Sequence, residues 1–232
     1  MIYSDLELAN LQAQALFVHD ADGRLLRINE PEPTDPAPRF FLTRTASGNL
    51  WRVRYDLPAD LVTELERLAD SEPLGRDLRE PPYHTAAYND LLAKHTPIAE
   101  TDAGPAYTLP ELDPPQSAIR ITPENMALLQ THFGWLNKLE DYAPVAVIVA
   151  DGAAVGICFS SRLTPQVAEA GVFVEPPYRG RGYASDVVRA WAAGVRASGR
   201  LPFYDTSWTN TASQAVARKL GAILYAANFS IT

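Results

Sequence analysis

The run Val172-Phe-Val-Glu-Pro-Pro-Tyr-Arg-Gly-Arg-Gly-Tyr-Ala184 leaves few folds open to the chain that contains it. Two β-branched residues around an aromatic read as a strand, and Pro176-Pro177 must end it, because proline has no amide hydrogen to give to a ladder. Beyond the turn, Tyr183, Val187, Val188, Trp191 and Val195 recur at helical steps and draw one apolar stripe. Gly199 is placed to end that helix, with Arg196 and Arg200 near its negative end. In between, Gly180 and Gly182 permit backbone angles that a side chain forbids and let a ligand approach the chain. The first amides of a helix have no partner within it, so the turn offers N–H donors and the positive end of a dipole to an anion. The run reads as strand, phosphate-cradling turn and helix.

The spacing Arg179-x-x-Gly182-x-Ala184 fits R/Q-x-x-G-x-G/A, and Val174-x-Pro176-x-Tyr178-Arg179-Gly180 leads into it. In both respects the segment resembles the pyrophosphate-binding signature of the GNAT acetyltransferases. Rival phosphate motifs are absent: there is no G-x-x-x-x-G-K-[ST], and Gly180-x-Gly182 lacks the third glycine of a dinucleotide fingerprint. The resemblance covers roughly 117–232. It implies the α/β (α+β) acyl-CoA N-acyltransferase fold with a mixed central sheet, and acetyl-CoA (coenzyme A) as cosubstrate. Carried over by motif, Val172, Phe173 and Val174 give backbone groups to the pantetheine arm in a gap between splayed parallel strands. Arg179, Gly180, Arg181, Gly182, Tyr183 and Ala184 hold the pyrophosphate.

The family's run N-x-x-A-x-x-L-Y-x-x-x-G-F corresponds to Asn210-x-x-Ser213-x-x-Val216-Ala217-x-x-x-Gly221-Ala222. This places Asn210 and Ser213 with the pantetheine, although a plain helix cap explains Asn210 equally well. Ala217 stands where the family often has the tyrosine that protonates the departing thiolate. Tyr178, Tyr204 and Tyr225 are the available substitutes, and a thiol with a pKa of about 8.5 also leaves tolerably without help. Carboxylates on the cofactor-binding strand commonly serve the family as base. Glu169 is the first choice here and Glu175 the second, since Glu175 lies close to the expected phosphates. An unbroken strand puts both on one face, and the bulge usual in the family would separate them.

The rest of the second half follows the family's order. A strand at 118–121 precedes a helix opened by Thr122-Pro-Glu, whose buried face is Met126, Leu129, Phe133 and Leu136. Strands at 145–150 and 153–159 are joined by Asp151-Gly152, a hairpin signal. A strand at 201–207, a helix from Asn210 or Thr211 to Gly221, and strand-like pieces at 222–225 and 229–231 complete it.

The first half reads as a small α+β domain of unknown role, 1–110, with 71–115 rich in loops and the GNAT domain at 111–232. A weak helical pattern at 4–14 leads to a hairpin at 16–28, a proline-rich loop at 31–38, and a second hairpin at 39–55 in which Arg52 and Arg54 mark a wet face. A helix at 58–69 and a short one near 85–94 follow. This domain could be a degenerate second copy of the acetyltransferase fold, or a lid over the acceptor.

Charge separates the halves: residues 1–116 carry 20 acidic and 10 basic side chains, residues 117–232 carry 8 and 10. The second half suits an anionic cosubstrate, and no basic block invites nucleic acid. The histidines and the single cysteine, Cys158, have no metal-ligand spacing, so no metal is expected. Cys158 itself reads as a buried structural thiol. Neither a membrane span nor a signal peptide is apparent, which makes a cytoplasmic location the expectation. The expected function is acetyl transfer to the amine of a small molecule or peptide by direct attack in a ternary complex. The alternative is a non-catalytic acyl-CoA sensor or interaction module of the same fold, and a homodimer is left open.

Overall fold

The computed structural model describes residues 3–31 and 35–232, so part of the proline-rich loop, 32–34, lies outside the described residues. In chain order the elements are α1 (Asp5–Leu16), β1 (Phe17–His19), β2 (Leu25–Ile28), β3 (Phe40–Thr45), β4 (Asn49–Val53), α2 (Ala59–Asp70), α3 (Thr85–His95), β5 (Thr101–Thr108) and β6 (Ala118–Arg120). A 3-10 helix (Pro123–Leu129) follows, then α4 (Leu139–Tyr142), β7 (Ala146–Ala150), β8 (Ala153–Leu163), β9 (Val167–Val174), α5 (Tyr183–Ala197), β10 (Leu201–Asp205), α6 (Thr211–Lys219) and β11 (Ile223–Ile231).

Two compact units result. The first comprises Met1–Tyr107 with Asp205–Thr211 and Leu224–Thr232, and the second Thr108–Tyr204 with Ala212–Ile223. The chain leaves the first unit at Tyr107 and comes back to it twice.

In the first unit α1 begins at a reciprocal cap: Ser4 Oγ accepts from the Glu7 N–H at 3.3 Å, and the Glu7 carboxylate accepts from the Ser4 N–H at 2.7 Å. Strands β3 and β4 pair antiparallel from Phe40 with Val53, and β11 lies antiparallel on the other side of β3, Ile231 opposite Phe40. Phe40, Leu42, Leu65, Tyr88, Leu92, Phe229 and Ile231 join α2 and α3 to these strands in one core. Arg39 is buried beneath it, donating at 2.9 Å to the carbonyls of Leu92 and Thr96 at the end of α3.

One expectation for this unit changes. Arg52 in β4 and Arg54 just beyond it do not form a wet face: Arg52 donates to Asn10 Oδ1 at 2.8 Å, and the Arg54 side chain, 15% exposed, bonds Asp56 at 2.7 Å. The stretch 71–115 is largely irregular, but it is ordered. Buried Glu72 gathers 71–88 by accepting from the His84 N–H (3.3 Å) and the Tyr88 hydroxyl (3.2 Å), and both α3 and β5 lie within the stretch. Strand β5 is disguised by its Gly104-Pro105.

The second unit has a mixed sheet in the order β10-β9-β8-β7-β6, parallel between β10 and β9 and antiparallel elsewhere. The β7–β8 turn has both Asp151 (φ 52°) and Gly152 (φ 81°) left-handed, the geometry that matches strand twist in a two-residue hairpin. Helix α5 packs Val187, Val188, Trp191 and Val195 against the sheet, all fully buried, and Trp191 Nε1 donates to Ser160 Oγ at 3.1 Å. On the opposite face Leu129, Phe133 and Leu136 pack with Val145, Val147 and Ile157. The stripe expected at 126–136 is buried there, but the helix carrying it is shorter than expected. Only a 3-10 helix forms, capped by Thr122 and Asn125, and the weak helix formers Thr131, His132 and Gly134 carry the rest as turns. Cys158 is fully buried, and burial pushes its thiol pKa well above the ordinary value.

Gly104 provides a test of this packing. The Trp208 N–H donates to Ala103 O at 3.0 Å, and a Cβ on Gly104 would lie 1.7 Å from Thr206 O. Gly104→Ala is expected to destabilise the protein by about 2–4 kcal/mol, read as a lower denaturation midpoint in urea. An unchanged midpoint would mean that β5 does not approach Thr206 this closely.

Candidate functional site

Strand β9 ends at Val174, and Pro176-Pro177-Tyr178 make a single 3-10 turn, with the Tyr178 N–H donating to Glu175 O at 2.9 Å. Gly180 (φ 77°) and Gly182 (φ 87°) then take the left-handed angles that reverse the chain into α5. The helical ladder starts with the Asp186 N–H on Gly182 O at 3.3 Å, which leaves the amides of Tyr183, Ala184 and Ser185 ahead of it. The Tyr178 hydroxyl donates to Asp151 Oδ2 at 3.0 Å and ties the turn to the β7–β8 hairpin, and that bond raises the phenol pKa.

The two arginines of the signature do not extend into this concavity. Arg179 Nε donates to Val174 O at 2.9 Å with its guanidinium 5.6 Å from the Phe173 ring centre, so its side chain fastens the end of β9. Arg181 lies over Tyr178 at 5.2 Å and donates to Pro177 O at 3.2 Å. A cation also reaches the glycine from elsewhere: Lys219 Nζ, at the end of α6, is 3.2 Å from where a Cβ of Gly182 would be. Nothing in the sequence singles it out, because Arg218-Lys219 looks like ordinary helix-end charge. Left-handed glycines, unladdered amides and an ammonium together suit a pyrophosphate.

Beside the turn the sheet opens. The parallel register of β10 on β9 runs Leu201 with Val167, Pro202 with Ala168 and Phe203 with Glu169, and ends there, while β8 accompanies β9 as far as Gly156 opposite Val174. Half of the backbone groups from Ala170 to Val174 therefore face the side that β10 has left. Val172 is half-buried, Phe173 is 43% exposed and Val174 is buried.

Tyr204 follows the last residue of β10 that pairs with β9 and is buried, its hydroxyl 2.6 Å from Ser213 Oγ in the first turn of α6. Ser213 is thus bonded to a tyrosine that the sequence offers only as one of three. Ala217 is fully buried in α6. Tyr225 belongs to the interior of the first unit, donating to Gln12 Oε1 at 2.5 Å. Asn210 also falls in the first unit's segment 205–211, where its N–H donates to Ser207 O at 3.1 Å.

Of the carboxylates, Glu169 is fully buried at the point where β9 and β10 part. Glu175, at the far end, keeps 21% of its side chain exposed and lies 3.6 Å from His132 Nδ1, a histidine with no role assigned from the sequence. The bulge expected in this strand is in its neighbour, where Ser161 is the extra residue between Ser160 and Arg162. Strand β9 alternates without interruption, so Glu169, Gly171 and Phe173 share a face. Among the described residues no cluster of three or more His, Cys, Asp or Glu could hold a metal ion, and no helix is long and apolar enough to cross a membrane.

A family model described as an acetyltransferase (GNAT) domain matches residues 91–223. Solved structures similar to this chain include a GNAT-family acetyltransferase from Novosphingobium aromaticivorans, at 23% identity over 58% of this chain and 65% of that one, with a TM-score of 0.45. A GCN5-related N-acetyltransferase-like protein from Streptococcus suis is 17% identical over 84% of this chain and 85% of that one, TM-score 0.49. The aminoglycoside N-acetyltransferase AAC(6')-Iy in complex with CoA is 26% identical over 45% of this chain and 89% of that one, TM-score 0.34. No curated protein matches the chain.

The turn is testable by calorimetry with coenzyme A. Lys219→Ala is expected to weaken binding about fivefold, the loss of roughly 1 kcal/mol from one exposed charge-assisted contact. Gly182→Val is expected to abolish binding while the circular dichroism spectrum is kept. Unchanged affinity in both variants would remove the turn as an anion site.

Proposed function

The chain belongs to the GNAT acetyltransferase family, and from that premise we propose that it is an N-acetyltransferase carrying an acetyl group from acetyl-CoA to the amine of a small-molecule acceptor. The observation that carries this reading is the adjacency of two features: an anion-ready turn backed by Lys219, and a strand edge left open where β10 parts from β9. A pyrophosphate at the first and a pantetheine amide paired to the second would lay the cosubstrate along Val172, Phe173 and Val174. The backbone of residues 179–184 would hold the phosphates, with Ser213 toward the arm.

Transfer is direct, within a ternary complex. The acceptor loses a proton and its nitrogen forms a bond to the acetyl carbon. The carbon–sulfur bond then breaks, the thiolate takes up a proton, and the new amide nitrogen loses one. Glu169 is the proposed base because it marks the position where the strands separate, and its burial requires that the proton reach it through a bridging water or the entering amine. Glu175 is the second candidate. For the departing thiolate, the Tyr204 hydroxyl with its bond to Ser213 is the donor the fold supplies in place of Ala217. The cytoplasm is the proposed place of action.

One observation favours a second reading. Ala217 is a buried methyl group where the family often has an acid, as suits a domain that holds acyl-CoA for sensing without turnover. Thiol release from acetyl-CoA with a panel of amines separates the two: steady release supports the enzyme, whereas binding with no release across the panel supports the sensor.

With an accepted amine, Glu169→Gln is expected to lower turnover at least about tenfold at neutral pH, a typical loss for a general base, and to keep acetyl-CoA affinity. Its rate should climb toward that of the parent at high pH, where more of the amine is already neutral. A variant as fast as the parent at neutral pH would exclude Glu169 as the base.

A further inference from the structure

The face of β8 and β9 turned away from α5 carries more aromatic surface than packing alone requires. Phe159 lies across β9 at its glycine, where a Cβ on Gly171 would be 2.4 Å from the ring. Trp135 and Tyr142 meet Phe159 edge to face at 5.1 and 5.7 Å, and each other at 5.9 Å. Two residues along the same face of β9, Phe173 meets Phe133 at 6.0 Å. Trp135 nevertheless remains 51% exposed and Phe173 43%, although Arg179 covers one face of the latter. The end of this floor holds Glu175 with His132 at 3.6 Å, and Phe173 itself borders the open strand edge.

Resting on the acetyl-transfer reading, we propose that this face is the acceptor subsite and takes a primary amine borne on an aromatic body. The ring of such an amine lies against Trp135 and Phe173, and its nitrogen is directed toward Glu169, which shares that face of β9. Rings already arranged edge to face accept another in the same geometry, and an ammonium gains both from the carboxylate and from the negative faces of the π systems. A polyhydroxylated amine fits poorly, because hydroxyls set against Trp135, Phe159 and Phe173 would lose water without finding a partner. Gly171 is part of the device: any larger residue would lift Phe159 off the strand and close the floor.

The test uses the whole chain with acetyl-CoA and three probes, 2-phenylethylamine, glucosamine and putrescine, following thiol release. The expected result is a kcat/KM for 2-phenylethylamine at least about tenfold above either other amine. Trp135→Ala, or Trp135→Leu if the alanine variant fails to bind acetyl-CoA, should raise the KM for 2-phenylethylamine about fivefold with kcat and acetyl-CoA affinity unchanged. Glucosamine or putrescine used as well as the aromatic amine, or a KM indifferent to Trp135, would overturn the subsite while leaving acetyl transfer intact. Failure to bind coenzyme A and to release thiol with any amine would overturn acetyl transfer, and the subsite with it.

Discussion

The second unit depends on a broken partnership. Strand β9 keeps β8 for its whole length but holds β10 for three residues, and beyond Phe203 opposite Glu169 its outer edge has lost its neighbour. Backbone amides and carbonyls in a sheet must be satisfied by another strand, by water or by a ligand. A strand released at its middle and held at both faces is therefore a fixed row of donors and acceptors awaiting an extended polar chain. Helix α5 keeps it rigid from one side through Trp191 and its bond to Ser160, and the 129–136 segment does so from the other.

Much of this was legible in the sequence, because turn residues have local consequences. Gly180, Gly182 and Asp151-Gly152 all take the positive φ values their positions suggest, and Pro176-Pro177 ends β9 where it should. Failures come where distant contacts override local preference. Gly104-Pro105 looks like a break, yet it is strand, since only glycine admits Thr206 O so closely. The apolar periodicity at 126–136 is real, but it is met by turns packed on β7 and β8 rather than by one long helix. Threonine, histidine and glycine in that stretch weaken the helix, and burial holds the apolar residues in place regardless.

The site divides in the same way. The glycine turn ahead of α5 is encoded by neighbours in sequence and was readable, whereas the ammonium beside it, Lys219, comes from another helix and was not. The conspicuous arginine of the motif, Arg179, braces the end of β9, which shows that a signature can preserve geometry as well as contact. Tyr204 with Ser213 and His132 with Glu175 are pairs that only folding brings together.

The placement of β11 has a consequence for how the chain is made. Ile231 pairs with Phe40 and Ala226 with Thr45, so the strand that completes the first unit's core is synthesised only after the second unit. Until then β3 has β4 on one side and an open edge on the other, with Phe40 and Leu42 lacking the cover that Phe229 and Ile231 later give. Contacts so distant along the chain form slowly, and a waiting edge invites pairing with other chains. The first unit is thus begun before the second and completed after it, and its exposed β3 is where a ribosome-bound intermediate would most need a chaperone.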